Sequence, residues 1–224
     1  MSVDNLRRTL DLADRIDRQE GSRSYQIHQR NMCRLALRYG FTRAAVTGAF
    51  SALSPNNDFL GNLRSTATLL IAKREGLPCS AATVSTYKAC ALRAWRCLEG
   101  EDFLAFTKGK KTRAFYLNIM DPMDPEPVCV DGHMISCWAG KRLTMKEAVR
   151  VKAPYDRIAD DVRTVALEQG MIPNQVQAIL WFTWKRLHRS KYVGCQLDLF
   201  RLGDQWAQEI LPDDIQPFPI QWNP

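Results

Sequence analysis

Apolar residues recur at helical spacing along most of this 224-residue chain, and this periodicity limits what the chain can fold into. Strand-like alternation is confined to the short run from Val128 to Val130. Gly, Pro, Asn and Asp separate the periodic segments, and a capping residue often stands where a helix would begin. The pattern therefore predicts an all-α protein, with one domain or two small lobes that share a cleft and enough length for an ample core.

Each helix is expected between a capping residue and a Gly or Pro stop. The expected helices cover residues 4–19, 24–39, 42–53, 58–76, 80–100, 112–120, 131–139, 154–169 and 173–190. The last segment, Gly203 to Pro224, is rich in Pro, Asp and Gln and is predicted to be an irregular tail.

The composition favours some partners and sites over others. The 31 Lys and Arg residues against 24 Asp and Glu residues give a net charge of +7, which favours a polyanionic partner but is also common on ordinary solvated surfaces. The seven cysteines form no CxxC pair, which argues against a disulfide framework and against a zinc or iron–sulfur site. A polar N-terminus without a long apolar run predicts a cytoplasmic protein with no membrane partner.

Two groups that can react with a sugar lie twenty positions apart in the chain. They are Lys111 in Gly-Lys-Lys-Thr and Asp131 in Val-Asp-Gly-His-Met. A lysine amine can attack the anomeric carbon of a sugar whose base is leaving. A nearby carboxylate can take the proton of that amine and stabilise the cationic sugar. One helix and a proline-rich loop separate the two groups, so both can face one cleft. Taken alone, Lys111 also suits a surface charge or a phosphate contact, and Asp131 suits a helix N-cap.

The order of these motifs resembles the catalytic core of the helix-hairpin-helix DNA glycosylase superfamily. The segments 109–112 and 130–134 resemble its lysine and aspartate motifs, and Asn56-Asn57 within segment 50–58 resembles the Ser-x-Asn-Asn turn of its oxoguanine glycosylase branch. The helix from Pro173 to His188 is similar to the helix behind the lysine in these enzymes. The resemblance covers roughly residues 42–189 and implies a glycosylase-like fold of two helical lobes around a central cleft. One lobe is expected over about 42–107, and the other over about 1–41 with 108–195.

The resemblance also implies a role for individual residues. Lys111 would be the nucleophile and Asp131 the carboxylate that stabilises the sugar cation. The residues expected to bind DNA are Asn56, Asn57, Lys108, Gly109, Lys110 and His133. The residues expected to line a base pocket are Trp181, Trp184 and His188. Simpler interpretations are that His133 is a core histidine or a phosphate contact, that the asparagines form an ordinary turn, and that the tryptophans belong to the core.

The function implied is that of a monomeric DNA glycosylase, with or without AP-lyase activity. It would flip a damaged or modified base out of duplex DNA and excise it without a metal or a diffusible cofactor. Two other hypotheses stay open. The same fold could exchange or trim a substituent of a modified base, or the chain could be a non-enzymatic helical DNA- or protein-binding module in which Asp131 is only a cap.

Overall fold

The computed structural model describes residues 3–150 and 155–188, and this part of the chain is built from α-helices without a β-strand. The all-α prediction is therefore confirmed, whereas Val128 to Val130 pairs with no strand in this part of the chain. No helix in the described ranges is long and apolar enough to cross a membrane. The predicted tail, 203–224, lies outside the described residues.

The helices follow one another with short connections. They are α1 (Val3–Asp11), α2 (Arg15–Tyr39), α3 (Arg43–Leu53), α4 (Phe59–Arg74), α5 (Lys88–Leu98), α6 (Phe103–Phe106), α7 (Lys110–Met120), α8 (Gly132–Ala139), α9 (Met145–Arg150), α10 (Tyr155–Glu168) and α11 (Pro173–Leu187), with a 3-10 turn at Cys79–Ala81.

Three of the predicted helix starts are confirmed by side-chain caps. The Thr42 hydroxyl accepts a hydrogen bond from the Ala45 N–H at 3.1 Å. The Asp58 carboxylate accepts one from the Gly61 N–H at 2.7 Å, and Asp131 caps α8. Each cap satisfies an amide that the first helical turn leaves without a backbone partner, so the start is encoded within three or four residues.

The first predicted helix begins within one residue of α1 but does not run without a break to Gln19. The chain breaks after Asp11 and restarts at Arg15, because Asp14 and Asp17 cap each other's backbone N–H groups. Helix α2 then runs through Gly21, where the sequence predicted a gap between two helices. Gly21 lies inside this helix and permits close packing against Ile179.

The helix predicted to begin at Ser80 also differs, because α5 begins at Lys88. The residues before α5 are instead held by side-chain bonds to earlier parts of the chain. The Ser85 N–H donates to the Ser65 hydroxyl at 3.0 Å, and the Thr86 hydroxyl donates to the Pro55 carbonyl at 2.6 Å. These bonds offer the backbone an alternative to helix formation. The short helices α6 and α9 were not predicted.

The described residues divide into two compact units. Unit 1 contains residues 3–27, 117–150 and 155–188, and unit 2 contains residues 28–116. The chain passes from one unit to the other within α2 and within α7. The sequence-based boundaries, near 41 and 107, were placed at loops instead, because turn residues are visible in a sequence and a division within a helix is not.

Unit 1 has a core formed by α1, α8, α10 and α11. A hydrophobic cluster in this unit contains Leu6, Leu10, Val128, Val130, Met134, Cys137, Trp138, Ile158, Ala159, Val162, Val165, Ala166, Val176, Ile179, Leu180 and Trp184. Helix α2 approaches α11 closely at Gly21, where a Cβ atom would lie 2.5 Å from the Ile179 backbone nitrogen. Only a glycine permits this approach.

Unit 2 packs α3 against α4, α5 and α6. An aromatic group lies in its core, with the His28 ring 4.9 Å from Phe59 and 5.8 Å from both Phe50 and Phe115. The two phenylalanines Phe50 and Phe115 stack on each other at 5.9 Å. These large rings fill the interior with favourable edge and offset contacts.

Candidate functional site

Among the predicted site residues, Asp131 has a carboxylate whose two oxygens each accept a hydrogen bond. It stands immediately before α8, and its Oδ1 accepts a hydrogen bond from the Met134 N–H at 2.9 Å. Its Oδ2 accepts a second hydrogen bond from the Trp181 indole Nε1–H at 3.0 Å. The residue is half-buried. The N-cap interpretation is thus confirmed, and the catalytic role stays a prediction.

The loop before Asp131 is held by side chains from α10 and α11. The Tyr155 hydroxyl donates to the Val128 carbonyl at 2.6 Å and accepts from the Val130 N–H at 3.2 Å. The Asn174 amide donates to the Pro122 carbonyl at 2.9 Å. Because prolines in this loop lack backbone donors, such side-chain bonds replace a regular backbone pattern. Burial raises the pKa of Tyr155 above its ordinary value, so the hydroxyl keeps its proton and can donate.

Trp181 has charged or polar groups on more than one side. The Lys185 ammonium lies over its ring, 3.8 Å from the centroid, and the His133 ring meets it edge-on at 6.0 Å. His133 is exposed, which excludes the interpretation as a buried core histidine. Lys185 is only 7% exposed, and lysines are rarely buried to this extent without a specific role for the charge.

Trp184 and His188 are arranged differently from Trp181. Trp184 belongs to the core cluster of unit 1, and its ring stacks on His188 with centroids 3.8 Å apart. Each ring therefore already covers a face of the other. The base-pocket role expected for this pair stays a prediction.

A buried hydrogen bond lies further along the same face of α11. The Tyr25 hydroxyl donates to Gln177 Oε1 at 2.7 Å, and both side chains are buried. Burial, together with nearby Cys129, raises the pKa of Tyr25 well above its ordinary value. Tyr25 thus stays neutral and acts as a hydrogen-bond donor.

Within residues 3–150 and 155–188, no group of three or more His, Cys, Asp or Glu side chains is arranged to hold a metal ion.

The lysine segment, residues 108–111, belongs to unit 2. Residues 107–109 connect α6 to α7, and the Arg113 guanidinium fastens this connection by donating to the Leu104 carbonyl at 2.5 Å and the Thr107 carbonyl at 2.9 Å. Lys111 is half-buried in the first turn of α7. Lys108, Gly109 and Lys110 are exposed. A Cβ atom on Gly109 would meet no atom closer than 3.7 Å, so intramolecular packing does not require a glycine there.

The asparagine turn also belongs to unit 2, and its two asparagines differ. Asn56 is exposed and has a left-handed backbone with φ 53°. The Asn57 amide donates to the Leu53 carbonyl at 3.2 Å, and its Oδ1 accepts from the Ser85 hydroxyl at 2.7 Å. Asn57 therefore closes the end of α3 and fastens the turn. Of the pair, Asn56 has the side chain that faces solvent.

The predicted site residues thus fall into two sets. Asp131, His133 and Trp181 are brought together in unit 1, with Trp184 and His188 nearby on α11, whereas the lysine segment and the asparagine turn lie in unit 2. The joint action of Lys111 and Asp131 stays a prediction. Sequence reasoning missed Lys185 and Tyr155. The four-residue spacing from Trp181 to Lys185 is the signal that could have indicated Lys185, because it places both side chains on one helix face. No local sequence signal indicates Tyr155.

One of the comparisons with known proteins identifies a family. No curated protein and no solved structure matches the chain significantly. The profile described as "Family of unknown function (DUF7178)" matches residues 1–188, which is most of the chain. The protein therefore belongs to the family DUF7178.

Proposed function

We propose that this protein is a DNA glycosylase that excises a damaged or modified base, with Asp131 stabilising the sugar cation. The observation that carries the proposal is that the Met134 and Trp181 N–H groups hold both oxygens of the Asp131 carboxylate, in a residue that is half-buried. A carboxylate in a preset orientation stabilises developing positive charge without reorganising during the reaction. A purely structural cap needs only the first of these two hydrogen bonds.

The proposed reaction begins with a base flipped out of the duplex. The glycosidic bond breaks with its electron pair leaving on the base, and the anomeric carbon becomes cationic. The neutral Lys111 amine then forms a bond to this carbon and gives up a proton to water. The adduct is first an aminal. Its sugar ring opens when the C1′–O4′ bond breaks and O4′ takes up a proton, and the nitrogen lone pair forms the C1′=N bond of the Schiff base. Loss of a C2′ proton then permits elimination of the 3′ phosphate, which would give the AP-lyase activity, and hydrolysis returns the free amine.

Charge supports a nucleic acid as the partner. Residues 28–116, which form unit 2, contain fourteen Lys and Arg against five Asp and Glu, a net charge of +9. Since the whole chain has a net charge of +7, the rest of the chain is slightly acidic. Two of the five acids are helix caps, and two pair with arginine or lysine. Because fourteen cationic residues outnumber these five acids, unit 2 has a large cationic excess. Such an excess attracts DNA phosphates.

The lysine segment offers features that suit contact with a phosphate backbone. Lys108 and Lys110 are exposed on either side of Gly109, whose backbone is not crowded by other atoms of the protein. A glycine at such a position lets another molecule approach the backbone closely.

The test is chemical trapping on a panel of duplexes, each with a different modified base. Borohydride added during turnover should reduce the Schiff base and link the protein covalently to DNA. Lys111→Gln should lose the adduct. The matched control, Lys110→Gln, should keep it, because adjacent residues of a helix point in directions about 100° apart.

The other outcomes separate the alternatives. Base release without an adduct would make water the nucleophile and leave Lys111 as a phosphate contact. An adduct that survives Lys111→Gln but not Lys110→Gln would move the nucleophile to Lys110. Loss of a base substituent without strand cleavage would favour modified-base chemistry. DNA binding with neither adduct nor release on any duplex would overturn the enzyme proposal in favour of a binding module.

A further inference from the structure

Trp181 connects the two charged groups of the unit 1 site. Its indole N–H donates to Asp131 Oδ2 at 3.0 Å, and the Lys185 ammonium lies 3.8 Å from its ring centroid. We propose that Trp181 is a positioning residue for Asp131 and that Lys185 strengthens its hold on the carboxylate. The tryptophan then serves the sugar chemistry through Asp131 and does not stack on the flipped base. This inference rests on the proposed function.

Two hydrogen bonds orient a carboxylate in a way that one cannot. The Met134 N–H holds Oδ1 at 2.9 Å, but a single hydrogen bond allows the carboxylate to tilt about that contact. The Trp181 N–H fixes the second oxygen and therefore the plane of the group. The remaining lone pairs then point in a set direction, which is what stabilisation of a charge forming at one carbon requires.

Lys185 acts on this hydrogen bond through the ring. A cation over the face of an indole is attracted by its π electrons, and it withdraws electron density from the ring. The N–H becomes more positive and donates more strongly to the carboxylate, as expected for polar groups that polarise one another. The low exposure of Lys185 increases the effect, because little water screens its charge. The spacing of four residues along α11 places both side chains on one face.

A second indole–carboxylate pair in unit 1 offers a matched control. The Trp138 Nε1–H donates to Asp161 Oδ2 at 2.6 Å, and the Arg157 guanidinium carbon lies 5.7 Å from the Trp138 ring. The chemistry of the pair is the same, but Asp161 lies within α10 and has no proposed role in the reaction. Loss of this indole N–H should affect stability without affecting the sugar chemistry.

The experiment compares Trp181→Phe with Trp138→Phe, and Lys185→Met with Lys185→Arg. Phenylalanine keeps an aromatic ring and removes the N–H. Methionine keeps the buried stem of Lys185 and removes its charge, and arginine restores a cation over the ring. Thermal unfolding checks that each variant is folded. The readouts are the single-turnover rate of base release on the duplex found to be a substrate, the Kd for that duplex, and the indole N–H resonances in nitrogen–proton NMR spectra.

Trp181→Phe should lower the single-turnover rate about 10- to 100-fold, as expected for loss of one hydrogen bond to a charged group, with little change in Kd. Trp138→Phe should keep the rate. Lys185→Met should lower the rate by a smaller factor, and Lys185→Arg should recover it. A full rate in Trp181→Phe, or an equal loss of rate and affinity, would overturn the proposal, and the second result would indicate base stacking.

The NMR readout decides the point even if no duplex is a substrate. The Trp181 indole resonance is identified by its disappearance in Trp181→Phe. It should move upfield in Asp131→Asn and in Lys185→Met, and return towards its position in Lys185→Arg. Movement without any base release would keep the coupled arrangement and reject only the glycosylase reaction. A resonance that does not respond to Lys185→Met or to Asp131→Asn would overturn the positioning role itself.

Discussion

Asp131 combines a structural and a proposed chemical role in one carboxylate. Its two oxygens accept from the Met134 and Trp181 N–H groups, so capping α8 and orienting the charge use different atoms. An amide has only one acceptor oxygen and cannot replace both bonds. The two roles can therefore be separated by one conservative substitution.

Asp131→Asn should lower base release about 100-fold or more, because it removes the charge that stabilises the sugar cation. The variant should still fold, because asparagine is a good N-cap, with a loss of about 1 kcal/mol in unfolding free energy for the unmatched hydrogen bond. Single-turnover assays and thermal unfolding measure the two effects. Full activity in the folded variant would rule out the proposed role of Asp131.

The asparagine turn yields a second prediction at this scale, with Asn56 as the side chain to change. Asn56→Gly removes the side chain and tolerates the left-handed backbone at φ 53°. If Asn56 fills the gap left by a flipped base, this variant should lose activity on duplex DNA and keep it on single strands. An equal loss on both substrates would leave only a structural turn.

Asn57→Ala is the matched comparison for that experiment. It removes the hydrogen bonds to Leu53 and Ser85, so it should lower the unfolding free energy by about 1–2 kcal/mol and affect both substrates alike. A selective loss on duplex DNA in Asn57→Ala would assign the wedge to Asn57 instead.

At the scale of the elements, the α2–α11 pair depends on one small residue. Gly21 brings the α2 backbone so close to α11 that a Cβ atom would lie 2.5 Å from Ile179 backbone nitrogen and 2.6 Å from its Cα. These are backbone atoms, which cannot move by a change of rotamer. The two helices would have to separate.

Gly21→Ala should therefore lower the unfolding free energy by about 2 kcal/mol or more, although alanine favours a helix over glycine by about 1 kcal/mol. Urea titration followed by circular dichroism measures the change. Ser22→Ala, the next residue on α2, is the control and should change stability by less than about 0.5 kcal/mol. A stabilised Gly21→Ala variant would mean that the helices are not held this closely in solution.

At the scale of the whole molecule, positive charge is concentrated in unit 2. Its net charge is +9, whereas the rest of the chain is slightly acidic. A polyanion attracted by this excess should bind more weakly as salt screens and replaces the protein's cations.

Binding to duplex DNA should consequently weaken about 10³-fold or more between 50 and 200 mM salt, if six or more phosphates are contacted. Two double variants with the same net charge test where the contacts are: Lys88→Glu with Arg93→Glu in unit 2, and Lys141→Glu with Arg142→Glu in unit 1. All four residues are exposed. Fluorescence anisotropy should show a larger loss of affinity and a smaller salt dependence for the unit 2 pair. Equal losses would mean that unit 2 has no special part in binding.

The fold class can be predicted from the amino-acid sequence, as can those helix starts that depend on a side chain three or four residues from its target. Thr42, Asp58 and Asp131 are such caps. These interactions are local, so the pattern and the structure agree. The helix expected at Ser80 does not form there because its residues are held by contacts with earlier parts of the chain. The Ser65 hydroxyl of α4 accepts from the Ser85 N–H, and the Thr86 hydroxyl donates to the Pro55 carbonyl.

The surroundings of Asp131 depend on tertiary contacts between residues that are far apart in the sequence. Trp181 is fifty positions further along the chain, and the Tyr155 hydroxyl holds the loop that leads to the aspartate. Gly21 lies where the sequence predicted a gap between two helices, and it instead permits two helices to touch. Contacts of this kind depend on which faces pack together. No short-range pattern encodes that choice, because it is the sum of many weak interactions between distant segments.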